Sequence, residues 1–168
     1  GVFGVCMLAV YCASTLLHAV REPRVQRVLL ECDHIAIHLL IAGTYTPLML
    51  VAVGGAWGWA MFVTVWSLAA VGITLRIVTR GRRPLLAVGL YVAMGWVGLI
   101  GAEPLLAAFT TLGVGLIVAG GLAYTSGVVF FLWRRLPFNH ALWHTFVLAG
   151  TTCHYLAIWH EVASPAAG

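Results

Sequence analysis

"PLLAAFTTLGVGLIVAGGLAYTSGVVFFLW", residues 104 to 133, runs for thirty residues without one Asp, Glu, Lys, Arg or His. A stretch this long and this apolar has no charged face to turn toward water, and a membrane-spanning helix needs only roughly 20 such residues. The run exceeds a single span. Its glycines, Gly113, Gly115, Gly120, Gly121 and Gly127, suit close helix packing, a kink or a shallow first turn, and the sequence leaves those three open.

The rest of the chain has the same character. Of 168 residues, 62% are hydrophobic and 8% charged, with a mean hydropathy of +1.00, which would leave a soluble domain almost no polar surface. The expectation is an all-α polytopic membrane helix bundle, a single transmembrane domain over 1–168 with no room for a soluble domain beside it. Apolar runs and breakers mark six spans, at about 1–20, 33–53, 57–79, 84–102, 106–132 within the long run, and 140–160. The connections REPRVQRVLLEC, GGAWG, RGRR, AEP and RRLPF are rich in glycine, proline or arginine and short enough to make neighbours antiparallel. The sequence opens on Gly1 and is apolar from there, so a further segment upstream is expected. No signal peptide or lipidation motif is visible.

Charge orients the spans. The formal net charge of +4 comes from arginine alone, and the arginines fall after the first span (Arg21, Arg24, Arg27), the third (Arg76, Arg80, Arg82, Arg83) and the fifth (Arg134, Arg135). Because basic residues are retained on the cytoplasmic side, these loops are expected inside, with Gly54, Gly55, Glu103 and the C-terminus outside. Charges dispersed over three short loops do not make a nucleic-acid surface, and no nucleic-acid partner is expected. The four cysteines, Cys6, Cys12, Cys32 and Cys153, show no C-x-x-C spacing and read as small apolar side chains, not a disulfide framework.

On this topology the polar residues that are costly in lipid gather at one depth. His18 ends the first span, Asp33 opens the second, and His140 and His144 open the last; Ser14 lies one turn from His18 on the same face. The spacing of His140 and His144 puts their Cβ atoms roughly 5–6 Å apart, so two imidazoles can converge on one ion. His18 can supply a third. Three neutral nitrogens with an open fourth position suit a catalytic zinc, although iron and nickel share the preference for imidazole. Asp33 would then take a proton from water, or hold it in place. A second H-x-x-x-H, His34 and His38, competes fully by spacing. His154 lies ten residues past His144, about 15 Å deeper, too far to share its ion; it reads as a cavity-lining or helix-bridging residue. His160 falls at the outer interface, and Trp57, Trp59, Trp133 and Trp159 read as interfacial anchors.

Five stretches carry a family resemblance: Ser14-x-x-x-His18, DHIAIHLLIAGTYTP (33–47), YVAMGW (91–96), GGLAYTSGVVFF (120–131) and NHALWHTFVLAGTTCHYLAI (139–158). In order and spacing the chain resembles the haemolysin III branch of the progestin and adipoQ receptor family. The resemblance implies a seven-helix fold, of which six helices are visible here. It implies zinc near the cytoplasmic face on His18, His140 and His144, with Asp33 and Ser14 contacting the water on the metal. His38 stands where the family pattern has an aromatic residue. Relatives in the wider superfamily include alkaline ceramidases, so the resemblance also implies amide or ester hydrolysis of a lipid and a part in bacterial membrane homeostasis. Two further readings stand beside it. One is a sensor of membrane state with a structural zinc; the other is a pore-forming haemolysin, ranked last because no charged ring or amphipathic face would line a channel.

Overall fold

The computed structural model describes residues 1–133 and 135–163. Among them are seven α-helices and no strand: α1 Val2–Ala19, α2 Pro23–Pro47, α3 Gly55–Thr79, α4 Pro84–Trp96, α5 Ala102–Ala108, α6 Thr111–Leu132 and α7 Asn139–Ile158. Val2–Ala19, Pro23–Val53, Gly55–Thr79 and Thr111–Leu132 are each long and apolar enough to cross a membrane, and Pro84–Ile100 with Ala102–Ala108 makes a fifth if counted as one broken span. α7 has the length, but three histidines, three threonines and an asparagine dilute it. The molecule is an all-α, polytopic integral membrane protein. Its contacts divide it into two compact units, Gly1–Val97 and Gly98–Gly168.

In the first unit α1 is apolar all round, which is how a helix reads when one face meets protein and the other meets lipid. Phe3, Cys6 and Val10 are its buried stripe, whereas Val5 and Leu8 are exposed. Gly43 of α2 sits against Cys6 and the Phe3 backbone, so closely that an added Cβ would lie 2.8 Å from the Cys6 sulfur. This contact fixes the antiparallel register of α1 and α2. His18, twelve residues on from Cys6, and Asp33, ten residues back from Gly43, therefore lie at about the same depth, roughly 15–18 Å from the contact.

The start of α2 differs from the sequence expectation. Residues 23–32 were expected in a connection, yet they form the first turns of the helix. The Glu22 carboxylate accepts from the Arg24 and Val25 amides, each at 2.8 Å, with Pro23 just inside the helix. A capped start with proline at its first position stabilises this end enough to override a charged composition. At the other end Pro47 has no N–H to donate, and the helix continues with wider i to i+5 bonding over Leu48–Val53. It stops where Gly54 and Gly55 take positive φ values of 65° and 58°, a conformation open to glycine without a side-chain clash.

Arg76, placed by sequence among loop arginines, is instead buried on α3. Its Nε and Nη2 donate to the two Glu31 oxygens at 2.7 and 3.0 Å. A charge in a span needs such a partner. The pair fastens the N-terminal part of α2 to the C-terminal end of α3.

In the second unit α6 and α7 form an antiparallel hairpin. Gly113, Gly120 and Gly127 recur every seven residues and are all buried. They admit Glu161, His154, and Phe146 with Trp143, in that order, so close helix packing is the reading that holds for these three. Gly115 meets nothing within 4 Å. The run 104–133 also breaks before α6, where the Thr110 hydroxyl caps the helix by accepting from the Gly113 amide at 3.0 Å.

Candidate metal centre

Within the second unit, His140 and His144 occupy the first turns of α7, one exposed and one half-buried. Their Nε2 atoms stand 2.9 Å apart, with ring centroids 4.5 Å apart. Two nitrogens bound to one tetrahedral zinc at about 2.0–2.1 Å would be about 3.3–3.4 Å apart. A small rotation of either ring gives that spacing, so this donor pair fits the ion. Phe131 of α6 flanks both His140 and Trp143 and backs the first turn of α7.

His18 closes α1 in the first unit. Its Nδ1 lies 2.7 Å from the Ser14 carbonyl oxygen. The natural tautomer donates Nδ1–H to that carbonyl and leaves Nε2 unprotonated, the form in which imidazole binds a metal. Ser14 thus orients His18 through its backbone, a role the spacing of the two residues contains but the residue type does not reveal. Asp33, half-buried at the same depth, makes no hydrogen bond or ion pair among the described residues. Glu31, two residues earlier, is spent on Arg76.

The competing pair lies within the same unit. His34 and His38 each direct Nδ1 to the carbonyl four residues back, at 2.7 and 3.1 Å. His38 is fully buried, its Nε2 has no hydrogen-bond partner, and that nitrogen is pressed against Gly72 of α3. No room is left there for an ion. The Tyr91 ring meets His38 edge-on at 4.5 Å, while the Tyr91 hydroxyl donates to the His34 carbonyl at 3.1 Å. His38 accordingly packs as an aromatic side chain. Tyr91, which the sequence marked only as part of a motif, braces the turn of α2 that follows Asp33.

His154 is a bridging residue: its Nε2 bonds the Ile117 carbonyl of α6 at 3.2 Å, next to a Tyr124–Thr151 hydroxyl pair at 2.7 Å. At the far end of the hairpin, Glu161 accepts from the Thr110 hydroxyl at 2.6 Å and from His160 Nδ1 at 3.0 Å. Burial pushes the Glu161 carboxyl up, but these hydrogen bonds outweigh it and hold its pKa below the ordinary carboxylate value. This end is a latch, since the acid caps α6 from the turn that follows α7.

Comparison with known proteins identifies the family. A model described as "Haemolysin-III related" matches residues 1–155. The chain belongs to this family. It is 42% identical over 157 residues to "Hemolysin-3" of Bacillus cereus, covering 94% of this chain and 72% of that protein. To a "Hemolysin-3 homolog" of Bacillus subtilis (strain 168) it is 41% identical, covering 94% and 74%. The human "Monocyte to macrophage differentiation factor" is 29% identical over 167 residues, covering 94% and 68%. These relatives place the haemolysin III chain in the wider progestin and adipoQ receptor family. No solved structure matches it.

Proposed function

We propose that this haemolysin III protein is a zinc-dependent hydrolase of a membrane lipid amide or ester, with His140 and His144 holding the ion and His18 supplying the third imidazole. The observation that carries the reading is the convergence of the His140 and His144 Nε2 atoms, 2.9 Å apart. The third ligand follows the family pattern and the ligand-ready tautomer of His18. Bound zinc would supply a Lewis acid for the carbonyl and make a water acidic near neutral pH. Asp33 would serve as the general base toward water, and the Ser14 carbonyl holds His18 in the binding tautomer. The arginine-bearing ends of the spans, and the metal site with them, lie on the cytoplasmic side, and the C-terminus lies outside, in the plasma membrane of a bacterium. Membrane lipids are the substrates, reached laterally from the bilayer.

The deciding experiment pairs zinc analysis with lipid turnover. Wild type and Asp33→Asn are incubated with a ceramide and phospholipid panel, and released fatty acid is measured against zinc content. Asp33→Asn should keep its zinc and lose roughly 100-fold or more of turnover, the scale of removing a general base. If wild type releases nothing across the panel while zinc is present, the hydrolase reading fails and a membrane-state sensor with structural zinc replaces it.

A further inference from the structure

Where α3 ends and α4 begins there is a small cleft with two arginines in its lining, independent of the metal reading. Arg80 and Gly81 both adopt left-handed backbone, with φ of 50° and 67°, and turn the chain within four residues. The two helices then diverge around a small cleft of about 20 Å³. Arg76, Arg83 and Thr79 line its mouth, and Gly72, Leu86 and Leu90 its walls. The lining residues recur at helical spacing on both sides, so the cleft continues as an apolar stripe on each helix.

The mouth is chemically unfinished. Arg76 is 7% exposed and spends Nε and Nη2 on Glu31, but its Nη1 has no partner among the described residues. Nη1 is not among the fully buried polar atoms, so it keeps surface at the mouth of the cleft. Arg83 precedes α4, which carries no side-chain cap. Around this end stand Arg21, Arg24, Arg27, Arg80, Arg82 and Arg83, all exposed. The Glu31–Arg76 pair ties the arginines of α2 to those after α3. Of the neighbouring acids, Glu22 caps α2 and Glu31 pairs with Arg76, while Asp33 lies two residues beyond Glu31 on α2.

We propose that the α3–α4 cleft binds one anionic phospholipid, its phosphate on Arg76 and Arg83 and an acyl chain along Leu86 and Leu90. Guanidinium matches phosphate by paired donors, and surplus positive charge at a membrane surface selects anionic over zwitterionic headgroups. The cleft holds no more than a group the size of one water, so the phosphate meets Arg76 and Arg83 at its mouth, and the glycerol and the chain lie over the stripe rather than inside the protein. Leu86 at 51% and Leu75 at 38% exposure present that stripe to the bilayer.

The test uses the purified full chain in detergent, with native mass spectrometry and melting curves in the presence of phosphatidylglycerol, phosphatidylcholine of the same tails, or inorganic phosphate. One phosphatidylglycerol should remain bound per chain and raise the melting temperature, and phosphatidylcholine should do neither. Arg83→Gln should weaken phosphatidylglycerol about fivefold, the scale of one basic residue at a membrane surface. Arg21→Gln with Arg24→Gln should change it less than twofold. Arg76→Lys, which keeps a charge toward Glu31 but removes Nη1, should match Arg83→Gln if its melting curve shows a folded protein; should it fail to fold, Arg83→Gln decides alone. An equal or larger loss in the Arg21 and Arg24 variant would mean diffuse attraction and overturn the site. Equal retention of phosphatidylcholine would overturn the headgroup choice, and stabilisation by inorganic phosphate equal to that by lipid would make it a free-anion site.

Discussion

The molecule contains the same four-residue histidine motif twice, and the two copies have opposite surroundings. His140 and His144 open α7, turn their Nε2 atoms toward each other, and are at most half-buried. His34 and His38 lie within α2, where His38 is wedged between Tyr91 and Gly72 with no exposed surface. The i, i+4 spacing supplies proximity in both. Proximity becomes a metal site only where the nitrogens face a shared space, and a neighbouring helix takes that space from His38. A buried imidazole nitrogen without a hydrogen bond is costly. It is tolerated here because the neutral ring also packs as an aromatic side chain.

The largest effect separating the two pairs is metal content. His140→Ala or His144→Ala should lower zinc affinity by more than the roughly 10–100-fold of losing an outer contact, whereas His34→Ala combined with His38→Phe should leave one zinc per chain. Elemental analysis of the purified variants reads this directly, and equal loss in the second variant would reverse the assignment of the pairs.

The next effect is on stability. Gly72→Ala drives a methyl group into His38 and should cost about 1–3 kcal/mol, the usual range for overpacking a core, while zinc per folded chain stays constant. A melting curve combined with metal analysis distinguishes this from loss of the ion.

Acid separates the two ends of α7. Zinc held by imidazoles should be released as pH falls below about 6.5, where histidine begins to protonate. The latch at Glu161 responds elsewhere. Its pKa lies below the ordinary carboxylate value of 4.5, so its contribution is complete above that pH and is lost as pH falls through the lowered value. Glu161→Gln should therefore cost about 1 kcal/mol at neutral pH, the difference between charged and neutral hydrogen bonds, and flatten the stability profile below pH 4.5 without altering zinc release. A denaturation series across pH, run beside a zinc-release titration, checks both.

The smallest change expected is His38→Phe. It keeps a flat ring between Tyr91 and Gly72 and removes the orphaned nitrogen, so stability should stay within about 1.5 kcal/mol of wild type. A large loss in chemical denaturation would show that His38 needs its bond to the His34 carbonyl more than its ring.

The sequence by itself determined the solvent, the all-α class, the order of the spans and the polar residues at their ends. These follow from run length, the absence of charge, and the cost of leaving backbone groups unpaired in lipid, all of which are properties of a local stretch. It placed His18, His140 and His144 at helix ends for the same reason, but set Asp33 at the start of α2, which in fact begins ten residues earlier. It did not extend α2 back to Pro23, because the Glu22 cap outweighs a composition that reads as loop. Only the tertiary structure decided that Arg76 is buried on Glu31, that Tyr91 and Gly72 enclose His38, and that Gly120 and Gly127 seat α7 while Gly113 admits Glu161 from the turn beyond it. Spacing along a helix tells which side chains share a face, whereas what that face meets is set by a helix distant in sequence.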